Sequence, residues 1–444
     1  MLYKKQKFTR IFGALMMACL NGCAWAGAEA ADAVNADPVD FSFVFFGCNR
    51  LDSDEAGGAA IPSTANAAQL KQDLLDIAAL QPRPQYLFLA GDVVLGLPKF
   101  KADEKPDDKK AVKDLSDQLA QWRLLLDQWG KEPAIHDLLK DTKLVVFTGN
   151  HELLKKVPDP FVFKGGKNET VEVPNPPAYG FWQDQIIGQW EKAAWPVFIV
   201  GNDGPGKGDD KLAPYRNDHL LDSEKRLSYT LTLQSPAQKK YFFVILNTDS
   251  LVDDHTLGDI PLQWASEKLA AAQKDADIHD IFVMGHKPII APADTDDPAV
   301  AKSINAYQAE DLYALLNNPG LVPPADGKPP ASKVRAYLAA HSHQWNYQSA
   351  LAFDSIKNGT VPQVVAGNGG SPPEKGWQTN GYFGFTLVSV TVGGTVNLKS
   401  YGRPIPAPYN QQTGIQPAGL IVSEDIYTPP APSSSSKPSA NTAE

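Results

Sequence analysis

The chain has 444 residues, of which 43% are apolar and 21% charged, and a formal net charge of −10. That is an ordinary globular composition, long enough for one large domain or two smaller ones. Lys4, Lys5, Lys7 and Arg10 are the charged residues of the first 26, so the chain without that segment carries −14. A surface that acidic repels a nucleic-acid backbone, so no nucleic-acid partner is expected. An anionic substrate would need a locally positive site, which bound metal can supply.

Residues 1–30 read as a secretory signal peptide. A basic stretch (MLYKKQKFTR) precedes a short apolar one (IFGALMMACL), with A-x-A cleavage sites at Ala24-Trp25-Ala26 and Ala28-Glu29-Ala30. The expectation is an exported protein, periplasmic or secreted. Leu20-Asn21-Gly22-Cys23 also resembles a lipobox, so a lipoprotein anchored through Cys23 is the alternative. The apolar stretch is too short to span a membrane, and no later segment offers a span. Cleavage removes Cys19 and leaves Cys48 alone or with a lipidated Cys23, which excludes an internal disulfide framework.

Residues 41–46 (FSFVFF) form the first predicted strand, and 67–80 a helix with apolar positions at helical spacing. Strand 86–90 follows, then a charged loop at 101–110. Residues 111–140 are helical, broken at Gly130 or Pro133, and strand 143–148 comes next. Residues 155–226 are rich in Pro, Gly, Asn and Asp. They read as an insertion of loops and one short helix, either a lid or substrate wall beside a site or a solvated excursion. A hairpin (227–233 and 241–247), helix 261–274, strand 280–284, a helix near 308–317 and strand 334–339 follow. Residues 361–366, 382–391 and 395–401 are closing strands, the last two joined at Gly393-Gly394. The tail, 429–444, has no apolar period and is expected to be disordered. Strands alternating with helices predict α/β layering.

Four clusters end four of these strands: Gly91-Asp92, Gly149-Asn150-His151-Glu152, Gly285-His286 and Ala340-His341-Ser342-His343. The apolar runs before them are YLFLA, KLVVFT, DIFVM and VRAYLA. Gly-Asp or Gly-His alone is common turn chemistry. The signal is the ordered set, each cluster placing metal-ligand types at a strand's carboxyl end. A two-ion hydrolytic centre needs a bridging carboxylate, for which Asp92 is the candidate, with Asn and His ligands around it. His341 and His343 are two apart and share a face in extended backbone. His151 is placed for proton donation or charge stabilisation, and Glu152 is placed to orient its ring. His136, His219, His255 and His279 lie in predicted helix or polar loops and read as structural, and Asp249 as a strand-end cap.

These residues resemble the calcineurin-like metallophosphoesterase superfamily, whose pattern is D-x-H, GD, GNH[DE], GH and GHxH. The purple-acid-phosphatase-like branch looks closest, through LNTD (246–249), Leu262-Gln263-Trp264, Gly285-His286-Lys287-Pro288 and VVAGNGG (364–370). The resemblance runs from residue 41 to 402. It implies an α/β, four-layer metallophosphoesterase fold, a two-sheet β-sandwich flanked by helices, with 155–226 inserted. It also implies one or two divalent or trivalent ions (Zn, Mn or Fe) and hydrolysis of phosphate monoesters or diesters, with metal-activated water attacking phosphorus. One ion would be held by Asp92, Asn150, His286 and His341. The other would be held by Asp92, His343 and the D-x-H pair.

The chain departs from the pattern at that pair, where it reads Gly47-Cys48-Asn49-Arg50 and has no carboxylate. Cys48 could bind as a thiolate, Asn49 could bind as a neutral ligand, or Arg50 could replace the second ion's charge at the phosphate. Cys48 could equally be a small buried residue. The family's tyrosine position falls on Leu95, so iron–tyrosinate colour is not expected. Two further readings stay open. One is a catalytically impaired metallophosphoesterase-fold binding protein that lacks a complete second metal site. The other is a metal-free surface-binding sandwich, which would leave the histidines scattered.

Overall fold

The structure, a computed structural model, describes residues 37–51, 67–101, 104, 107–164, 167–201, 203–204, 226–249, 258–292, 303–319, 332–356, 359–373, 381–405 and 422–427. The predicted signal peptide, the tail, His219 and His255 lie outside them.

In chain order the elements are β1 (Val39–Phe46), α1 (Ala67–Ala78), β2 (Tyr86–Ala90), α2 (Asp108–Trp129), α3 (Pro133–Asp141), β3 (Lys143–Phe147) and the single-turn α4 (Asn150–Leu153). The hairpin β4 (Leu154–Lys164) and β5 (Lys167–Pro174) follows, then α5 (Pro176–Gln183), which continues as a π-helical stretch Asp184–Trp190. The second half has β6 (Tyr229–Gln234), β7 (Lys240–Leu246), α6 (Leu262–Lys274), β8 (Ile278–Gly285), α7 (Ala306–Asn317), β9 (Val334–Ala339), β10 (Trp345–Gln348), β11 (Gln363–Ala366), β12 (Tyr382–Thr391), β13 (Val396–Pro404) and β14 (Val422–Tyr427). The predicted break between α2 and α3 falls where Gly130 caps one helix and Pro133 opens the next. The insertion differs from expectation, because its first part pairs as a two-stranded sheet.

The result is a mixed α/β fold with two six-stranded sheets. One has the order β14-β13-β12-β1-β2-β3 and the other β10-β11-β9-β8-β7-β6. β1, β2 and β3 are parallel, as are β7, β8, β9 and β11. Parallel strands buried on both faces explain the continuous apolar runs FVFF, YLFLA and FFVIL. The sheets meet through aromatic rings. Phe41 stacks on Tyr241 at 4.2 Å between centroids, and Phe43 meets Phe243 and Phe282 edge-on at 5.2 and 5.1 Å. Trp264 of α6 joins Val244, Ile281 and Val283 in a second apolar cluster on the far side of the second sheet. Among the described residues no helix is long and apolar enough to cross a membrane.

At the carboxyl ends of the parallel strands the two sheets are tied together. Gly47 N–H, after β1, donates to Ala366 at the end of β11 (2.9 Å), and the Gly369 and Ser371 amides donate back to Gly47 and Cys48 (3.1 and 3.0 Å). Beyond β1 and β2 the pairing continues into the loops. Cys48, Arg50 and Leu51 donate to Gly91, Asp92 and Val93 at 2.8–3.0 Å. This seam carries the clusters singled out in the sequence.

Candidate metal centre

Asp92 sits at the centre of the seam, fully buried. Its Oδ1 lies 3.1 Å from His286 Nε2 and accepts the His151 backbone N–H at 3.1 Å. Its Oδ2 accepts from Arg50 Nε and Nη2 at 3.2 and 3.1 Å, and lies 3.8 Å from His151 Nε2. Burial alone would raise the Asp92 carboxyl, but its neighbours His151, His286 and Arg50 outweigh that and hold it well below the usual carboxylate range.

Two glycines make the approach possible. Gly91 has φ +78°, and a Cβ on it would meet Gly149 N and His286 Nδ1 at 2.6 Å. A Cβ on Gly149 would meet Asp92 Oδ1 at 2.3 Å. The Gly in each motif is therefore a packing requirement as well as a turn. Cys48, Arg50, Asp92 and His341 all have positive φ, between +51° and +63°. Side chains rarely take that conformation, and it clusters where a site over-determines the backbone.

Glu152 does not orient His151. Its carboxylate accepts from the backbone N–H groups of Gly149 (2.7 Å), Asp92 (3.0 Å) and Val94 (3.2 Å), lacing the Asp92 loop to the Asn150 turn. Burial and then the charge of Asp92 push it up to about 7. The His151 ring is held instead by the Leu95 carbonyl, which takes the Nδ1 proton. The neutral ring therefore presents Nε2 as an acceptor. Burial and then Arg50 lower its pKa to about 3, so at neutral pH it carries no charge and Arg50 is the permanent cation against Asp92.

Cys48, Asp92 and His286 are all buried, with ligand atoms within 4.8 Å of one another. His286 gives its Nδ1 proton to the Ala90 carbonyl (2.7 Å), so in the neutral ring the Nε2 lone pair faces the Asp92 oxygen. Two acceptors at 3.1 Å need a proton or a cation between them. Burial would lower the His286 pKa, but the Asp92 charge reverses this and raises it. His341 Nδ1 is 3.1 Å from the same Nε2. Asn150, also buried, gives its amide N–H to Glu172 (3.1 Å), and its Oδ1 has no hydrogen-bond partner among the described residues. An orphaned amide oxygen, a carboxylate and imidazole nitrogens form a donor set that fits a divalent cation. The Cys48 thiol is raised well above its usual range by burial and then by Asp92, although the His341 backbone N–H bonds its sulfur. It stays neutral unless a cation lies beside it.

The remaining sequence candidates are held differently. Asn49 donates to the Gly369 carbonyl (2.6 Å), and His343 Nδ1 bonds the Pro372 carbonyl (2.6 Å). Arg50 is a cation already seated on Asp92 Oδ2. It thus sets a fixed positive charge on the Asp92 oxygen that does not face His286. Asp249 forms a buried ion pair with Lys287, and His279 pairs with Asp280 at the opposite ends of the strands. Sequence reasoning missed Glu172 and Lys156, and named Lys287 only as part of a motif stretch. Lys287 stood beside a motif residue, but nothing in the sequence marked Glu172.

No protein-family model matches the chain, and no curated protein does. Among solved structures it is similar to PhoD, with TM-score 0.50 and 13% identity over 89% of this chain and 73% of that one. It is also similar to a purple acid phosphatase from yellow lupin (Lupinus luteus) seeds, with TM-score 0.45 and 14% identity over 82% of this chain and 52% of the other. A third similar structure is GAP50, the anchor in the inner membrane complex of Plasmodium, with TM-score 0.42 and 13% identity over 88% and 90%. The chain spans about half the length of the lupin protein. At such identity the PhoD likeness speaks to the fold alone.

Proposed function

We propose that this chain is an exported, metal-dependent phosphoester hydrolase with the four-layer metallophosphoesterase fold. The observation that carries this reading is the convergence of Cys48, Asp92 and His286 on one buried point, with His341 beside it and the turn of Asn150, whose amide oxygen is buried without a hydrogen-bond partner among the described residues, bonded to Asp92 through the His151 N–H. The similarity to PhoD supports the fold. The signal-like residues 1–30 support export.

Asp92, Asn150, His286 and His341 would hold one ion (Zn, Mn or Fe), with Cys48 as a further ligand. When bound, the ion supplies Lewis acidity toward a phosphoryl oxygen and toward water. Arg50, fixed by Asp92, supplies the second positive charge and a planar donor pair for phosphate oxygens. His151 gives up a proton only from its doubly protonated ring. Burial and Arg50 disfavour that form, so at neutral pH Nε2 is an acceptor, suited to taking a hydrogen bond from the attacking water or a substrate hydroxyl. The substrate class is phosphorylated small molecules or other phosphate esters. Arg50 supplies the charge that a second ion would bring, so the reading needs only one.

Elemental analysis of the purified protein, paired with a screen of aryl phosphate monoesters and diesters, tests this reading. One ion per chain with turnover is expected, and Asn150→Ala should lose both. Full turnover and metal content in Asn150→Ala would sink the mechanism. A metal-free native protein inactive across the panel would favour the non-catalytic binder that the missing D-x-H carboxylate leaves open.

A further inference from the structure

Asn150 is a conditional ligand. Its amide ends in one oxygen and one NH2, and only the oxygen can hold a cation. The two differ by a half-turn about one bond, so something must choose between them. We propose that Glu172, on the inserted β4–β5 hairpin, is the positioning residue that fixes the Asn150 amide with its oxygen toward the ion. The proposal rests on the metal site proposed above.

Glu172 Oε2 accepts from Asn150 Nδ2 at 3.1 Å, and a carboxylate can receive only the NH2 side. The opposite atom, Oδ1, is left buried and without a hydrogen-bond partner among the described residues. The hairpin that brings Glu172 here is anchored at its base. Leu154, the residue after α4, pairs with Pro174, and Lys156 pairs with Glu172 in register. Lys156 N–H donates to Pro98 and its carbonyl accepts from Phe100, both at 2.9 Å, so the segment before α2 clamps β4 from its other edge. Lys156 Nζ lies 3.7 Å from Glu172 Oε1, which leaves Oε2 to Asn150. The insertion thus reaches back to the turn it springs from and orders a ligand there. A partner that orients a metal ligand typically contributes about 10–100-fold to metal affinity.

Titration calorimetry of the full chain with Mn2+, and separately Zn2+, tests this. Glu172→Ala should weaken binding about 10–100-fold, while Glu172→Gln, which keeps an acceptor oxygen, should retain most of the affinity. In an Asn150→Asp background both terminal atoms are oxygens and no orientation is needed. There Glu172→Ala should leave affinity unchanged or tighten it, because a repelling charge is removed. A merely structural Glu172 would instead give the same loss in both backgrounds, and that result, or no loss in either, overturns the proposal. If native protein takes up neither ion, the metal site and the positioning role fail together. If native protein binds and Glu172→Ala binds equally well, only the positioning role fails.

Discussion

Asp92 shows what one residue's surroundings add to its identity. Its position after an apolar strand was readable from Gly-Asp, and so were Asn150, His286 and His341 from their motifs. The division of its two oxygens, one toward His286 and one toward Arg50, was not readable, because it depends on the positive φ of Arg50 and Asp92 and on loops that run side by side. Asp73 makes a separate point about buried charge, far in sequence from the motifs. It lies inside α1, with Oδ1 accepting from Gln69 and Oδ2 without a hydrogen-bond partner among the described residues. Burial raises its carboxyl well above the usual range. A carboxyl whose pKa is higher folded than unfolded costs stability as pH rises from its unfolded value, about 3.9, toward its folded one. Asp73→Asn should therefore flatten the decline in melting temperature as pH rises above about 4. Thermal melts across that range check this, and an unchanged slope would contradict it.

At the scale of elements, sequence patterning located the core strands and helices to within a few residues but misread the insertion. Pro158, Pro160 and Pro174 argue against strands, since proline cannot donate to a ladder. The hairpin absorbs them because it has only two strands, with an irregular register between Pro158 and Phe163. β10 was missed because WNYQ is four residues long and only partly buried, which gives no alternation to detect. β1 joins the two sheets through Phe43, which packs against Phe88, Phe243 and Phe282 from both of them. Phe43→Ala should cost about 3–5 kcal/mol, read as a lower denaturation midpoint. A loss under about 1 kcal/mol would mean that the sheets do not meet there, since a fully buried aromatic truncation cannot be that mild.

For the whole molecule, the two sheets present their parallel carboxyl ends at one seam, and four strands deliver their motifs to it. A centre that holds a cation, as proposed, would stabilise the native chain by binding only that state. At a hundredfold excess over the dissociation constant, Mn2+ or Zn2+ should add about 2.7 kcal/mol. Melting temperature should rise with added metal and fall with a chelator in the native protein, and stay level in Asn150→Ala. An equal rise in both proteins would place the binding elsewhere.

By itself the sequence determined the strand and helix alternation, the order of the motifs and the absence of a carboxylate at Gly47-Cys48-Asn49-Arg50, because these are local patterns of residue type. The tertiary structure decided which residues meet. It put Arg50 on Asp92, gave Glu152 to three backbone amides instead of His151, and brought Glu172 to Asn150 through a hairpin clamped at Pro98 and Phe100. These contacts link residues up to 60 positions apart. They depend on register, left-handed backbone turns and the meeting of two sheets, and none of those leaves a periodic trace in the chain.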